Sequence, residues 1–390
     1  MERGKRVASI GGERKMNFGM TEEQDLLRSE VRKFLDEQSP MEEVRGAADT
    51  PEGFSRALWK QLSELGWVGL VTPEEYGGAG LGWDDLVVLL EETGRTLFPS
   101  PLLSCVMAGA AILDAGSEEQ RRAWLPALAD GSCIGTVAVL EEGDSLLPRD
   151  LRLRGEPDGD AVVLHGEKHF VAEAGEADLF VVAFRSGDAD EALSLAVVEA
   201  HAEGVRSETG RSLDPTKRSG TLHLDGVRVG PDAILGSLGE AGPALALLLD
   251  RGAIATSAEM LGAAEGLHAM TVQYAKDRTQ FGSPIGRYQG VKHPLAEGYV
   301  DLECMKSLLY YAAWALEASP EEVPLAASQA KAFASEAFSQ MGITGIQLHG
   351  AIGYTQDSDV HLYLRRSKWA RPAFGDEAYH YDRVATLGGI

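Results

Sequence analysis

The sequence predicts an α+β chain in which a helical segment, a small β-domain and a second helical segment follow one another. Three observations carry this. Helix-start signals and helical spacing fill the first third. Short β-rich runs punctuated by Asp-Gly turns occupy the middle, and from Pro243 onward the helical period returns in very long stretches. The expected divisions are a disordered leader at 1–19, a helical domain at 20–130, a β-domain at 131–235 and a helical bundle at 236–390.

The leader, Met1 to Lys15, is basic and has no apolar run, so it lacks the hydrophobic stretch of a signal peptide. Thr21-Glu-Glu-Gln24 is a capping box: hydroxyl and amide each satisfy a backbone donor that a helix start leaves free. Leu27, Val31, Phe34 and Leu35 follow at helical spacing, and Leu58, Leu62 and Leu65 repeat the pattern. Ser117-Glu-Glu-Gln120 opens a further helix that runs to about Leu128.

Asp130-Gly131, Asp158-Gly159 and Asp225-Gly226 mark turns. Between them lie the runs Ile134–Leu140, Ala161–Leu164, Leu179–Phe184, Leu195–Val198 and Thr221–Leu224, each short enough to be a strand. The stretch Pro243 to Asp277 is crowded with small residues such as Ala253, Ala258 and Gly262, which let helix backbones approach closely. It is expected inside a bundle with Val291–Ala318, Leu325–Gly342 and the shorter Asp359–Arg366.

Gly77-Gly-Ala-Gly-Leu-Gly82 fits no dinucleotide-binding register and follows no strand of a βαβ unit, so it reads as a turn.

Composition narrows the function. A net charge of −24 argues against nucleic acid and against an anionic membrane surface. No stretch approaches the ~18 apolar residues of a membrane span. The three cysteines, Cys105, Cys133 and Cys304, are far apart, so no disulfide framework or zinc site is indicated and a cytoplasmic location is expected. The histidines show no metal-ligand spacing, and His201, His223 and His268 read as structural.

Two segments point to a specific chemistry: Arg278-Thr-Gln-Phe-Gly-Ser-Pro-Ile-Gly286 with Gln289, and Gln347-Leu-His-Gly-Ala-Ile-Gly-Tyr-Thr355. Separated by two long helices, they resemble the acyl-CoA dehydrogenase family of FAD-dependent enzymes. The Pro73–Leu81 loop and the small β-domain sit where that family has theirs. The resemblance implies an N-terminal helical domain, a middle β-domain and a C-terminal four-helix bundle. It implies FAD shared across a subunit interface in a dimer or tetramer, and an electron-transfer flavoprotein as electron acceptor.

By that resemblance Arg278, Gln280, Phe281 and Gln289 contact FAD of a neighbouring subunit, Arg278 as a permanent charge able to fork onto a pyrophosphate. Gln347, His349 and Gly350 approach the ADP half. Phe170, in Phe170-Val-Ala172 where the family has Trp-x-Thr, keeps an aromatic face for the flavin ring but lacks the hydroxyl, and Val139-Leu-Glu-Glu-Gly143 replaces the family's Thr-Glu-Pro loop. Ala351 stands where a second Gly is common. Arg251 and Tyr354 are implied to contact substrate. Leu213–Lys217 and His361–Arg366 resemble stretches of bacterial members, some of which pair unlike subunits.

The implied reaction is α,β-dehydrogenation of an acyl-CoA thioester, in which a carboxylate removes the α-proton and a hydride passes to flavin N5. The expected base is Asp357, one methylene shorter than the family's usual Glu. The alternative is Asp250, which precedes Arg251 on the long helix. Two rival expectations remain open: a partner subunit with a weak or absent site of its own, and a flavin oxidase on the same fold.

Overall fold

The computed structural model describes residues 20–190 and 192–390, so the expected leader at 1–19 lies outside the described residues. Eleven α-helices and a central sheet appear among them. Both capping boxes form: Thr21 Oγ1 accepts from the Gln24 amide at 3.1 Å and heads α1 (Glu22–Gln38), and Ser117 heads α6 (Glu118–Ala129) in the same way. Between them lie α2 (Met41–Ala48), α3 (Arg56–Glu64), α4 (Trp83–Arg95) and α5 (Leu102–Ala115). Every residue of α5 from Leu102 to Ile112 is buried, so this helix is wedged between neighbours rather than lying on the surface.

The eight-stranded sheet runs β6-β7-β3-β2-β4-β5-β8, and β1 (Gly135–Ala138) adds to β4 in parallel. The remaining strands are β2 (Arg154–Asp158), β3 (Ala161–Ala172), β4 (Leu179–Arg185), β5 (Leu193–Glu199), β6 (Val205–Thr209), β7 (Ser219–Val229) and β8 (Ile234–Leu235).

Strand β4 is buried along its whole length because its two faces serve two cores. Leu179, Val181 and Ala183 pack with the helices, whereas Phe180, Val182 and Phe184 fill the interior of the β-domain. The period-2 geometry of a strand makes this division automatic, and it yields an unbroken apolar run.

The C-terminal half contains α7 (Gly242–Asp277), the short hairpin β9 (Thr279–Gln280) and β10 (Ser283–Pro284), α8 (Gln289–Ala318), α9 (Val323–His349), α10 (Val360–Ala370) and α11 (Glu377–Leu387). The small residues of α7 have the expected purpose. A Cβ on Gly262 would collide with the Glu91 carbonyl oxygen of α4, and one on Gly94 with the Glu259 carbonyl oxygen of α7. Glu91 and Glu92 are buried near this crossing and are answered by Arg28, Arg32 and Arg95.

Gly262→Ala must push two helix backbones apart, since backbone cannot rotate away. A loss of about 1–3 kcal/mol is expected in denaturant unfolding.

No helix among the described residues is long and apolar enough to cross a membrane.

Candidate active site

A cavity of about 290 Å³ opens where α5, the sheet and the end of α10 meet. Leu103, Ser104 and Met107 form the α5 wall. Thr136 and Val137 of β1 and Phe170, Ala172 and Glu173 at the end of β3 form the sheet wall, and Leu249, Trp369 and Phe374 close it from the bundle. A wider cleft of about 510 Å³ shares Leu140, Asp144, Leu146 and Pro372 with it and runs along α11 to Arg383.

The mouth and the interior differ. Phe170 and Leu213 are each 61% exposed, whereas Ser104, Met107, Thr136, Glu173 and Lys217 are buried. Phe170 has φ +53° and Glu173 φ +48°, a region that side chains with a Cβ rarely adopt, so the chain turns sharply on either side of Ala172. The Thr136 and Ser212 hydroxyls, both at the cavity, are buried without a hydrogen-bond partner.

Five buried ionisable groups cluster behind the sheet wall. Arg366 pairs with Asp214 and donates to Thr216 Oγ1 at 2.6 Å. Lys217 pairs with Glu259 at 2.9 Å and lies 5.1 Å from the Trp369 ring centroid. Two cations thus answer two carboxylates, and the third carboxyl, Glu173, has only the Ser104 hydroxyl donating to it.

Burial pushes Glu173 up to about 7 against the opposing pull of Lys217. A carboxyl raised from 4.5 favours the fold while protonated, and that contribution falls as pH climbs through about 7. Glu173→Gln should therefore gain stability relative to wild type by about 3 kcal/mol between acid and mildly alkaline pH, read as the difference between the two unfolding profiles.

The bundle wall is pinned. Phe374 and Gly375 have φ +55° and +100°. The Lys331 ammonium, buried inside α9, donates to the carbonyls of Gly375 at 2.7 Å and Arg371 at 2.8 Å, and His380 Nε2 donates to that of Phe374 at 2.9 Å. Burial lowers Lys331 to about 7 and His380 to about 3, so His380 is neutral and available as a donor.

Asp250 lies next to this wall. It follows the cavity residue Leu249, the Phe374 ring packs over Gly252, and Arg383 of the wider cleft reaches Asp250 at 2.6 Å. Burial raises the Asp250 carboxyl, while Arg383 draws it back down.

The other sequence-derived residues fall in three places. Arg278, Gln280, Phe281 and Gln289 are exposed around the β9–β10 hairpin, with Phe281 at 93% exposure and φ +52°. Gln347, His349, Gly350 and Tyr354 lie at the end of α9. Tyr274 of α7 stacks on His349 at 4.2 Å and joins the two motifs at one end of the bundle. Of the cofactor candidates, Phe170 lines the cavity and the others do not.

Arg251 points to the N-terminal helices, where it pairs with Asp114 and covers the Trp83 ring at 4.9 Å. Asp357 is exposed on the turn before α10 and lines neither the cavity nor the wider cleft.

Thr136, Glu173, Lys331 and Phe374 belong to no motif that would mark them in the sequence. Leu213–Lys217 and His361–Arg366 do stand out there, and these two stretches meet through Asp214 and Arg366.

A model of the acyl-CoA dehydrogenase N-terminal domain matches residues 21–132, and one of the C-terminal domain matches residues 244–387. The acyl-CoA dehydrogenase IpdE2 of Mycobacterium tuberculosis is 32% identical over 348 residues, covering 89% of this chain and 91% of the relative. Among solved structures, the ChsE4–ChsE5 complex from Mycobacterium tuberculosis superposes with a TM-score of 0.87 at 27% identity, covering 96% of this chain and 99% of that one. The glutaryl-coenzyme A dehydrogenase–glutaryl-CoA complex gives 0.88 at 27% identity, covering 96% and 97%.

Proposed function

Because the chain belongs to the acyl-CoA dehydrogenase family of flavoprotein oxidoreductases, we propose that it carries out FAD-dependent α,β-dehydrogenation of an acyl-CoA thioester in the cavity between sheet and bundle, with Asp250 as the proton acceptor. When bound, FAD supplies the hydride acceptor. The observation that carries this reading is the position of Asp250: a buried carboxyl on α7, next in the chain to the cavity residue Leu249 and paired with Arg383 of the wider cleft.

The chain's residues suit the cofactor in two places. At the cavity, Phe170 offers an aromatic face at the mouth, and the unpartnered Thr136 and Ser212 hydroxyls suit a heteroaromatic ring with polar edges. At the end of the bundle, Arg278, Gln280 and Gln289 are exposed and polar. Gly350, at φ +65°, has open space where a Cβ would stand, so a ligand can approach the backbone. Phe281 is nearly fully exposed, which supports a role across a subunit interface. Phe281→Asp is expected to shift the protein to smaller species in light scattering and to lower its FAD content together.

Asp250 accepts a proton best when ionised yet desolvated. Arg383 keeps the charge on it, and burial holds its proton affinity above that of a solvated carboxylate. Asp357 is too far out on the exposed turn to share this setting. Lys331 and His380 position the wall by fixing Phe374 and Gly375. Arg251, held by Asp114 and Trp83, braces the helix that carries Asp250 rather than touching substrate.

A second reading, membership in a hetero-oligomer, is favoured by the closed Asp250–Arg383 pair and by the structural likeness to the ChsE4–ChsE5 complex. Anaerobic titration with acyl-CoAs tests the two. The independent enzyme purifies yellow and bleaches on its own, whereas a subunit of a mixed assembly is colourless until its partner is added. An electron-transfer flavoprotein as acceptor and a cytoplasmic site of action complete the proposal. Rapid reoxidation by air would replace the dehydrogenase with an oxidase.

A further inference from the structure

Resting on the acyl-CoA reading above, we propose that the inner end of the cavity is a subsite for an oxygen-bearing acyl tail, whose carbonyl or hydroxyl group is received by the Glu173 carboxyl. The inner end is defined by burial: Ser104, Met107, Thr136, Glu173 and Lys217 lie inside, and Phe170 and Leu213 stand at the mouth. Met107, Leu103 and Val137 make its walls apolar, so an acyl chain can reach it.

Glu173 is the group that an ordinary hydrocarbon would leave unsatisfied. The cations facing it are already engaged, Lys217 by Glu259 and Arg366 by Asp214. One carboxylate oxygen, Oε2, accepts from Ser104, which is the hydrogen bond the side chain receives among the described residues. Such a carboxyl, buried beside two other acids and two bases, is held partly neutral near pH 7 and can donate a hydrogen bond to a carbonyl or exchange one with a hydroxyl.

A buried polar group with no partner disfavours an apolar ligand more strongly than it favours a polar one, so selectivity comes mainly from rejecting the plain chain. The backbone strain at Glu173, φ +48°, fits a residue kept in place for its carboxyl rather than for packing.

The test uses the FAD-loaded protein as purified, with its partner if one is required, and redox-inert CoA thioethers, which bind but cannot be dehydrogenated. Matched alkyl and ω-hydroxyalkyl pairs are titrated calorimetrically over a series of chain lengths. At the length that reaches the inner end, wild type is expected to bind the hydroxylated ligand about tenfold or more tightly than its alkyl partner. Glu173→Leu should abolish that preference. Glu173→Gln, which keeps a donor and the shape, should retain most of it.

Equal binding of both ligands by wild type at every length would overturn the proposal while leaving the acyl-CoA reading intact, as would a preference that survives Glu173→Leu. A change in FAD content or flavin absorbance in Glu173→Leu, with ligand preference unaltered, would assign the carboxyl to the cofactor instead and also overturn it. Failure of every thioether to bind would remove the acyl-CoA reading itself, and this one with it.

Discussion

Asp250→Asn is expected to slow anaerobic flavin bleaching by acyl-CoA by about 10²–10⁴-fold, the range a positioned general base contributes. The substitution preserves shape and removes the proton-accepting charge. Because Arg383 is still partly open to solvent, at 22% exposure, loss of its partner should not unfold the chain. Binding of a redox-inert CoA thioether should stay within about threefold of wild type, which separates lost chemistry from lost binding. Asp357→Asn is the contrast. Its carboxylate is exposed on the turn before α10, whereas that of Asp250 is buried, so bleaching should remain within about twofold of wild type.

The largest stability effect is expected at the pair that joins the β-domain to the bundle. Arg366 and Asp214 are 1% and 0% exposed, so Asp214→Ala leaves a guanidinium buried with only Thr216 to answer it. A loss of about 3–5 kcal/mol is expected in denaturant unfolding, the cost of stranding one member of a buried pair. The double replacement Asp214→Ala with Arg366→Met should recover a large part of that loss, because both desolvation penalties vanish together. A loss in the double variant equal to the sum of the two single losses would show that the pair is not coupled. Any damage also reaches the cavity, since Lys217 and Trp369 are neighbours of the same cluster.

Local and periodic features were legible in the sequence. The Thr21 and Ser117 capping boxes depend on residues three apart, and both helices start where the pattern puts them. The small residues of α7 announced a close crossing, and Gly262 against the Glu91 carbonyl is that crossing.

Strands were under-read where polarity interrupts them. β3 continues past Leu164 through His165, Gly166 and Glu167, which are exposed and break the apolar run. β6 at the sheet edge is polar, and it too escaped notice. Helix α11 is capped by Asp376, whose carboxylate accepts from the Tyr379 amide at 2.9 Å, a cap that is recognisable only once the preceding turn is known.

The cavity was largely illegible because its parts are distant in sequence. Ser104 meets Glu173 and Lys217 meets Glu259, pairings with no periodic signature. Asp357 follows the Gln347 motif directly and lies exposed on the turn before α10. Asp250 was weighed from its place beside Arg251, and what the sequence lacked was its true partner, Arg383, over a hundred residues on.

The most direct test of the account is anaerobic titration of the FAD-loaded protein with an acyl-CoA panel, run in parallel on wild type, Asp250→Asn and Asp357→Asn. Wild type and Asp357→Asn are expected to bleach at similar rates with the same best substrate, while Asp250→Asn remains oxidised on that timescale. Bleaching of Asp250→Asn at the wild-type rate, or its loss in Asp357→Asn alone, would contradict the account.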